Sequence, residues 1–355
     1  MKIVIISFAF YDYCIQFANA LSKKENVTII LPKNRILKEQ ERRIASKVTK
    51  MLVYQPRKRC LTNILMILKI KRIINDANPD IIHFQYGYIW LPFILPFLKQ
   101  YKIVTTIHDV MEHPGEETLE MKINHFVMRM ISDKIILHSK KLKRNFIKKY
   151  GYTGKVCIIP HGNFEIYKKY KKYKEEKNWI LFFGRIWEYK GLKYLIKAEP
   201  LIRKEVKNFK IVIAGRGEDF KKYDSMIQKK ENFIIHNYYI PECKMVELFQ
   251  KSSIVVLPYI EASQSGVIPV VYQFKKPVIS TDVGALSDVV INNKTGLLIK
   301  PRMVKKLADS IVYLLQRPKL RKKMGEAGYK FAKEELSWDK IANMTIEVYK
   351  DETSN

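Results

Sequence analysis

The chain has 355 residues, 47% of them hydrophobic, and its 65 Lys and Arg residues outnumber its 35 Asp and Glu residues by 30. This length suits two domains better than one, and the apolar fraction is typical of a folded globular protein rather than a disordered chain. The surplus of positive charge leaves nucleic acid, an anionic membrane surface or a phosphorylated substrate as candidate partners.

The N-terminal segment KIVIISF predicts a first buried strand. Asp12 interrupts the apolar run, so a strand is favoured over a signal peptide, although Ala18-Asn19-Ala20 resembles a cleavage site. No window reaches the roughly 18 apolar residues of a spanning helix. Residues 86–99 come nearest, and two interpretations stay open for them: a core helix with a Pro-rich start, or an apolar face that dips into a bilayer.

Short apolar runs alternate with helical patterns along the chain. In the first half they are KIVIIS, VTIIL, IIHF, IVTTIH, KIILHS and VCIIP, and in the second WILFFG, FKIVIAG, FIIHNYYI, SIVVLPY, KPVISTD and TGLLIK. Continuous apolar strands separated by helices are typical of parallel sheets covered on both faces. The sequence therefore predicts an α/β protein with six strands in each half, two doubly wound domains, and ligands at the carboxyl ends of the strands.

The pattern breaks at residues 161–179, which have no apolar period and are rich in Lys and Tyr. We interpret this segment as an interdomain linker with an exposed basic loop, so that the domains are 1–165 and 166–336. The four cysteines follow no metal-binding spacing and indicate reduced core residues of a cytosolic protein. They are Cys14, Cys60, Cys157 and Cys243.

The segment IVTTIHDVMEHPGEE places His108 and Asp109 at the end of a predicted strand, with Glu112, His113 and Glu116 just after. His108 is either a hydrogen-bonded residue at a strand end or a group that faces the cleft. A zinc site is not predicted, because His108 and His113 have no evident third ligand.

Two cations follow the strand WILFFG. Arg185 comes directly after Gly184, and Lys190 lies five residues further on. A guanidinium fork and a compact ammonium group suit diphosphate oxygens, although a solvated basic surface is the alternative. The glycines of IVIAGRGED lack the third glycine of a dinucleotide fingerprint, so they predict a tight turn.

The segment PYIEASQSGVIPVV puts small polar residues where a strand ends. If a helix begins at Val267, then Ser263, Ser265 and Gly266 lie at its N-terminus, where free N–H groups favour an anion. The strand propensity of VIPVV opposes this helix. Glu261 would stand beside the anion and accept hydrogen bonds from neutral hydroxyls. Two cations, a helix N-terminus and a carboxylate together describe a nucleotide-sugar site.

These motifs resemble the retaining glycosyltransferases of family 4, which have the two-domain GT-B fold. The resemblance rests on FFGRIWEYKGLKYLIKA, IVIAGRGED, VVLPYIEASQSGVIPVVYQFKKPVISTDVGALSDVV and TGLLIKP, supported by TIHDV and IIPHGN. It covers nearly the whole chain. It implies two Rossmann-like domains facing across a cleft, the first binding the acceptor and the second the donor. It also implies that a C-terminal helix, 337–352 with Trp338, crosses back to the first domain.

The resemblance implies a role for each site residue. Arg185 and Lys190 would stabilise the leaving diphosphate, Glu261 would hold hydroxyls of the transferred sugar, and His108 would face that sugar. The other donor-binding positions are Gly184, Ser263 and Gln264, with Tyr239 and Ile240 beside the nucleobase and Ser265, Gly266 and Val267 at the distal phosphate. No cofactor and no metal ion are expected.

Two features depart from the family pattern. The second glutamate of the motif, expected at the ribose, falls near Val270, and the motif has one extra residue. FAFYDY replaces the glycine-rich loop that is common after the first strand. Ribose binding must therefore come from elsewhere, and donor contacts from the first strand are not predicted.

The expected function is metal-independent transfer of a hexosyl group to a glycan or lipid-linked acceptor, in the synthesis of a cell-surface polysaccharide or glycoconjugate. The basic segments KKLKRNFIKKYGYTGK and YKKYKKYK predict a cytoplasmic protein held peripherally at the anionic inner face of the cell membrane, at about 1 kcal/mol per cation. The alternatives are a degenerate GT-B scaffold, a nucleotide-sugar epimerase and a nucleic-acid-binding protein. The last is disfavoured because no recognised binding module accompanies YKKYKKYK.

Overall fold

The computed structural model describes residues 1–57, 60–86, 90, 93–94, 97–110, 119–164 and 170–353. The chain divides into two compact units, Met1–Gly162 together with Ser337–Asn355, and Asn163–Leu336. Each unit is built on a parallel sheet covered by helices. The predicted α/β architecture of two Rossmann-like domains is confirmed.

The sheet of the first unit has seven strands in the order β3-β2-β1-β4-β5-β6-β7. They are β1 (Lys2–Ser7), β2 (Asn26–Pro32), β3 (Thr49–Val53), β4 (Ile81–Tyr86), β5 (Lys102–Thr106), β6 (Lys134–Leu137) and β7 (Lys155–Ile158). The prediction of six strands was wrong by one, β3. This strand lies at the sheet edge and its first three residues are exposed, so TKMLV lacks the continuous apolar run of a buried strand.

Helices cover both faces of this sheet. They are α1 (Tyr11–Leu21), α2 (Lys38–Arg42), α3 (Asn63–Ala77), α4 (Leu119–Ile131) and α5 (Lys140–Tyr150). The alternation of β1 separates the two faces: Ile3 and Ile5 pack in the cluster with α1, whereas Val4 and Ile6 pack in the cluster with α3 and α4.

The sheet of the second unit has six strands in the order β10-β9-β8-β11-β12-β13. They are β8 (Trp179–Phe183), β9 (Lys210–Ala214), β10 (Phe233–His236), β11 (Ile254–Leu257), β12 (Val278–Thr281) and β13 (Gly296–Ile299). All six coincide with predicted runs. The order reverses between β8 and β11, and the carboxyl ends of strands at such a switch point are where open α/β sheets bind ligands.

The helices of this unit also form two layers. They are α6 (Leu192–Glu205), α7 (Lys221–Asp224), α8 (Glu242–Lys251), α9 (Val267–Gln273), α10 (Leu286–Val289), α11 (Val304–Leu315) and α12 (Pro318–Glu335), with short 3-10 helices at Glu188–Lys190 and Lys230–Asn232. Buried residues of α6 and α11 share one apolar cluster, and those of α8 and α9 share the other.

The last helix, α13 (Trp338–Thr353), belongs to the first unit. Its Trp338 Nε1–H donates to Gln16 Oε1 of α1 at 2.7 Å. Ile341 and Ile346 are buried in the same cluster as α1, and Tyr349 is hydrogen-bonded to His83 of β4. The predicted return of the C-terminal helix to the first domain is confirmed.

The four cysteines are free, but they differ in exposure. Cys14 is buried, and burial raises the pKa of its thiol to about 12. Cys60 and Cys157 are half-buried and Cys243 is exposed, so the prediction of core cysteines was right only for Cys14. Within the described part of the chain, no helix is long and apolar enough to cross a membrane.

Candidate active site

Two buried tyrosines position the cations that follow β8. Arg185 donates from its guanidinium to the hydroxyl of Tyr189 at 2.8 Å. The ammonium nitrogen of Lys190 lies 3.8 Å from the centre of the Tyr259 ring, a cation–π contact. Both tyrosine side chains are buried, so the two positive groups are held on a rigid base at the end of β8.

The loop after β11, residues 258–263, packs closely against the turns at Gly191 and Gly284. At Gly191 (φ 68°) an added Cβ would lie 1.9 Å from the carbonyl oxygen of Pro258, and at Gly284 (φ 53°) it would lie 1.6 Å from that of Ala262. A Cβ at either position would clash with these carbonyl oxygens, and the positive φ angles also favour glycine. The backbone N–H of Glu261 faces the carbonyl oxygen of Tyr189 at 3.4 Å, so the loop presents Glu261 beside the cation-bearing turn.

Helix α9 begins at Val267, as the segment PYIEASQSGVIPVV predicted. Ser265 Oγ accepts from the backbone N–H of Val267 at 3.3 Å and lies 3.3 Å from the hydroxyl of Tyr259. Burial raises the pKa of Tyr259 to about 12, against the opposing effects of the Ser265 hydrogen bond and the charge of Arg185. Tyr259 is therefore neutral at physiological pH. It contacts both Ser265 at the N-terminus of α9 and the ammonium group of Lys190.

Two polar atoms between β11 and α9 are buried without a hydrogen-bond partner among the described residues. Ser263 Oγ and Gln264 Oε1 have no hydrogen bond to any residue that the structure describes, and the Ser263 side chain is only 2% exposed. Leaving a buried polar atom unpaired costs about 1–3 kcal/mol. Such atoms are rare in folded proteins, and a water molecule, an ion or a ligand normally completes their hydrogen bonds.

The structure thus groups Gly184, Arg185, Lys190, Glu261 and residues 263–267 at the switch point of the second sheet. Tyr239 and Ile240 follow β10, on the far side of β9 from this group. Tyr239 is 70% exposed, and Ile240 packs on the cluster of α8 and α9. Val270, near which the resemblance would put the second glutamate of the family pattern, is buried in the same apolar cluster.

His108 is buried in the first unit and both of its ring nitrogens have neighbours. Nδ1 lies 3.1 Å from Nε2 of His138, and Nε2 lies 3.1 Å from Oε1 of Gln85. Its ring stacks on Phe10 with 4.4 Å between centroids. His138 Nδ1–H in turn donates to the carbonyl oxygen of Ile159 at 2.9 Å. His108 is therefore one member of a polar network.

The network extends to His83, which contacts Thr106 Oγ1 at 2.8 Å and the hydroxyl of Tyr349. Burial lowers the pKa of His83 and His138 to about 3 and holds the pKa of His108 well below its usual range. The three imidazoles are consequently neutral at physiological pH.

Neutral rings fix the direction of the hydrogen bonds. The Ile159 carbonyl only accepts, so His138 donates from Nδ1 and accepts at Nε2 from His108 Nδ1–H. His108 Nε2 is then an acceptor. The Gln85 atom that lies 3.1 Å from it must therefore be the amide nitrogen, which donates, and not the oxygen. The two ends of an amide side chain are assigned only from such partners. The network orders the carboxyl edge of the first sheet.

Sequence reasoning identified His108 but missed His83, Gln85 and His138. It also missed His161, whose ring centre lies 5.4 Å from that of His138. A signal was present: IVTTIH, KIILH and VCIIPH each end a strand with histidine, and β5, β6 and β7 are neighbours in the sheet. Glu112, His113 and Glu116 lie outside the described residues. In the described ranges, no group of three or more His, Cys, Asp or Glu side chains is arranged to hold a metal ion.

Two tyrosines of the basic loop, Tyr170 and Tyr173, lie against α8. Tyr170 donates from its hydroxyl to Glu242 Oε1 at 2.8 Å, and the backbone N–H of Tyr173 donates to Gln250 Oε1 at 2.6 Å. Both side chains are half-buried, whereas Lys171 and Lys172 are exposed. Nucleic-acid binding by stacking would need exposed aromatic faces, so this arrangement weakens that alternative.

Comparisons with known proteins agree on one family. The profile for Glycosyl transferases group 1 matches residues 163–331, and the profile for Glycosyltransferase Family 4 matches residues 12–162. An uncharacterized glycosyltransferase of Methanocaldococcus jannaschii is 30% identical over 293 residues, which cover 79% of this chain and 78% of that protein.

Two solved structures share the fold over the full chain. Sucrose-phosphate synthase from Thermosynechococcus elongatus matches with a TM-score of 0.76 and 16% identity, covering 99% of both chains. HepE of Anabaena, solved in complex with UDP and glucose, matches with a TM-score of 0.74 and 15% identity, again covering 99% of both chains.

Proposed function

The chain belongs to the family 4 glycosyltransferases of the GT-B fold, and from this premise we propose its reaction. It transfers a sugar from a nucleoside diphosphate sugar to a glycan or lipid-linked acceptor, with retention of anomeric configuration and without a metal ion. The observation that carries the proposal is the grouping, at one sheet edge, of two fixed cations with the partnerless polar atoms of Ser263 and Gln264.

The donor class follows from the chemistry of that group. Arg185 and Lys190 suit diphosphate oxygens, while Glu261, Ser263 and Gln264 offer hydrogen-bonding atoms for sugar hydroxyls. The complex of HepE with UDP and glucose supports a nucleoside diphosphate sugar as the donor of this chain too. Because Val270 is apolar, the ribose is held by other groups than a second motif carboxylate.

The proposed reaction breaks the bond between the anomeric carbon and the phosphate oxygen. The acceptor hydroxyl forms its bond to that carbon on the same face, and its proton passes to the leaving phosphate. Negative charge grows on the diphosphate as the bond breaks, and Arg185 and Lys190 are already fixed to stabilise it. Glu261 holds the transferred sugar in place. Transfer of this kind fits the synthesis of a cell-surface polysaccharide or glycoconjugate.

Turnover is expected to survive removal of metal ions, because two cations of the protein stabilise the leaving group. Release of nucleoside diphosphate from a panel of nucleotide sugars, with acceptor present, should be equal in EDTA and in magnesium. Activity that is lost in EDTA and restored by magnesium or manganese would contradict metal independence. Binding of a donor without any turnover would favour the scaffold alternative, and conversion of one nucleotide sugar into its epimer would favour the epimerase alternative.

Glu261→Gln is expected to lower turnover about tenfold or more, because it weakens charged hydrogen bonds to the sugar while keeping the side-chain shape. Affinity for the free nucleoside diphosphate should stay within about twofold of the unaltered protein, because the diphosphate is bound elsewhere. Steady-state kinetics and calorimetric titration separate the two quantities. Glu205→Gln, at an exposed position of α6, is the matched control. Loss of diphosphate binding with unchanged turnover would show that Glu261 has another role.

A further inference from the structure

The first unit exposes an unusual amount of apolar side chain on one face of its sheet. Of the 19 large hydrophobic residues that are exposed among the described residues, ten lie on α3, the segment 93–98, α4 and α5, or immediately beside them. The ten are Leu61, Ile64, Leu65, Leu68, Phe93, Phe97, Ile123, Phe126, Met130 and Ile147. We call these ten residues the apolar face. Large exposed patches of this kind mark interaction sites.

Helix α3 is apolar on two sides. Ile67, Ile70 and Ile74 are buried against the sheet, whereas Leu65 and Leu68 are 66% and 53% exposed. Packing on the core therefore accounts for the apolar residues on one side of the helix but not for those on the other side. The exposed residues recur at helical spacing, so they form one continuous strip along the helix.

Neighbouring elements continue this strip. Ile94 and Leu98 are buried in the same cluster as α3, while Phe93 and Phe97 are exposed. The ammonium of Lys71 on α3 lies 3.5 Å from the centre of the Phe97 ring. The described residues of this segment therefore divide between the core, to which Ile94 and Leu98 belong, and the exposed surface, to which Phe93 and Phe97 belong.

Helix α4 contributes further exposed residues to the apolar face. Met128 is buried in the shared cluster, whereas Phe126 is exposed and Met130 is 72% exposed. The guanidinium of Arg129 lies 3.9 Å from the centre of the Tyr150 ring of α5, which ties α4 to α5. The apolar face therefore spans several adjacent elements of one layer.

Exposed cations lie on the same helices as this face. Helix α3 carries Lys69, Lys71 and Arg72 against one acidic residue, Asp76. Helix α5, KKLKRNFIKKY, carries six basic residues and no acidic one. Of these, Arg144, Lys148 and Lys149 are exposed, as is Lys69 on α3. Apolar side chains bordered by exposed cations match a surface that is apolar in its interior and negatively charged at its boundary.

We propose that the apolar face is the docking surface for an anionic lipid bilayer, with its aliphatic and aromatic side chains among the acyl chains and the surrounding cations at the headgroups. A second copy of this chain fits poorly, because it would bring the same cations together in a chain of net charge +30. Nucleic acid would engage the cations but not the aliphatic residues of α3. The proposal goes beyond the sugar transfer and does not depend on it.

Vesicle flotation without nucleotide sugar tests this surface directly. The protein should bind vesicles with about one third phosphatidylglycerol much more tightly than vesicles of phosphatidylcholine alone, and high salt should weaken the binding without abolishing it. The probe for the apolar part is Leu65→Ser with Leu68→Ser, which should lower the partition coefficient about tenfold or more. Both positions are exposed, so the variant should fold normally, and circular dichroism checks this.

Matched controls separate the face from general charge and hydrophobicity. Met303→Ser with Tyr313→Ser removes two exposed apolar side chains of the second unit and should leave binding unchanged. Lys69→Gln with Lys148→Gln should lower binding about 30-fold at low salt, whereas Lys204→Gln with Lys207→Gln, both exposed in the second unit, should have a much smaller effect. Trp90 is not a suitable probe of the apolar face, because it is partly buried against the core.

Three outcomes would overturn the proposal. The first is the absence of binding to either vesicle. The second is equal binding by the Leu65 and Leu68 variant and its control. The third is a dimer of the unaltered protein, seen by sedimentation velocity, that Leu65→Ser with Leu68→Ser converts to a monomer, since the face would then be covered by a second copy. None of these outcomes bears on the transferase assay, so the two proposals fail separately.

Discussion

Arg185→Ala and Lys190→Ala are each expected to lower turnover about 30- to 1000-fold, because each removes about 2–4 kcal/mol of transition-state stabilisation. The charge that they offset develops only as the diphosphate leaves, so turnover should fall more than affinity for the intact donor. Their positions are fixed before the reaction by Tyr189 and Tyr259. Steady-state kinetics with the true donor measures the effect.

Lys207→Ala removes an exposed cation of the second unit that is far from the site in sequence, and it should keep turnover within about twofold. Arg185→Lys should recover only part of the activity, because an ammonium group lacks the planar fork that binds two oxygens. Melting temperatures of all variants identify any that fail to fold. If both alanine variants are folded and turn over normally, the diphosphate is not bound at the end of β8.

Acid is expected to destabilise the first unit before any carboxylate of ordinary pKa is protonated. His83 and His138 have their pKa lowered by burial from 6.5 to about 3, and the pKa of His108 is lowered too. Between these values the unfolded chain binds protons that the folded unit does not. Stability should therefore be constant above about pH 6.5 and should fall as the pH decreases below it.

The expected loss is large. Each histidine that stays neutral in the folded unit lowers the free energy of unfolding by about 1.4 kcal/mol for each pH unit below 6.5. Between about pH 7.5 and 5.5 only one such unit counts, so three histidines lower the free energy of unfolding by about 4 kcal/mol. A domain is typically stable by only about 5–15 kcal/mol. Urea unfolding at the two pH values, followed by tryptophan fluorescence, measures the difference.

His83→Asn should remove about a third of this pH dependence, whatever its effect on stability at neutral pH, because only the difference between the two pH values is compared. His236→Gln alters a half-buried histidine of the second unit and should leave most of the dependence intact. Equal stability at both pH values would mean that the histidines of the network bind protons as readily folded as unfolded.

Local patterns were enough to predict most of the scaffold. The apolar runs of the second half predicted all six strands of its sheet, because five of them are largely buried and the partly exposed edge strand β10 is still an apolar run. The start of α9 was also predicted correctly, although VIPVV favours a strand. In the fold, Ile268 and Val271 pack on the core as one side of a helix, and Pro269 is tolerated in the first turn.

Features set by tertiary packing could not be predicted in this way. Nothing in the sequence NILMILKIKRII distinguishes the apolar residues that pack on the core from those that do not, and only the structure shows that Leu65 and Leu68 are left uncovered. The histidine network depends on strand order, which brings His83, His108 and His138 to one edge of the sheet. The side-chain oxygens of Ser263 and Gln264 lack a hydrogen-bond partner among the described residues because of the conformation of their loop, which the spacing of residues in the sequence does not predict.

Thermal denaturation of the protein with a panel of nucleoside diphosphates, in EDTA, tests the central claim that the edge of the second sheet at β8 and β11 binds the donor. A ligand that binds only the folded state raises the melting temperature by mass action. At least one diphosphate should raise it for the unaltered protein and for Lys207→Ala, but much less for the variant carrying both Arg185→Ala and Lys190→Ala. A rise that persists in this variant, or no rise with any diphosphate, would contradict the account.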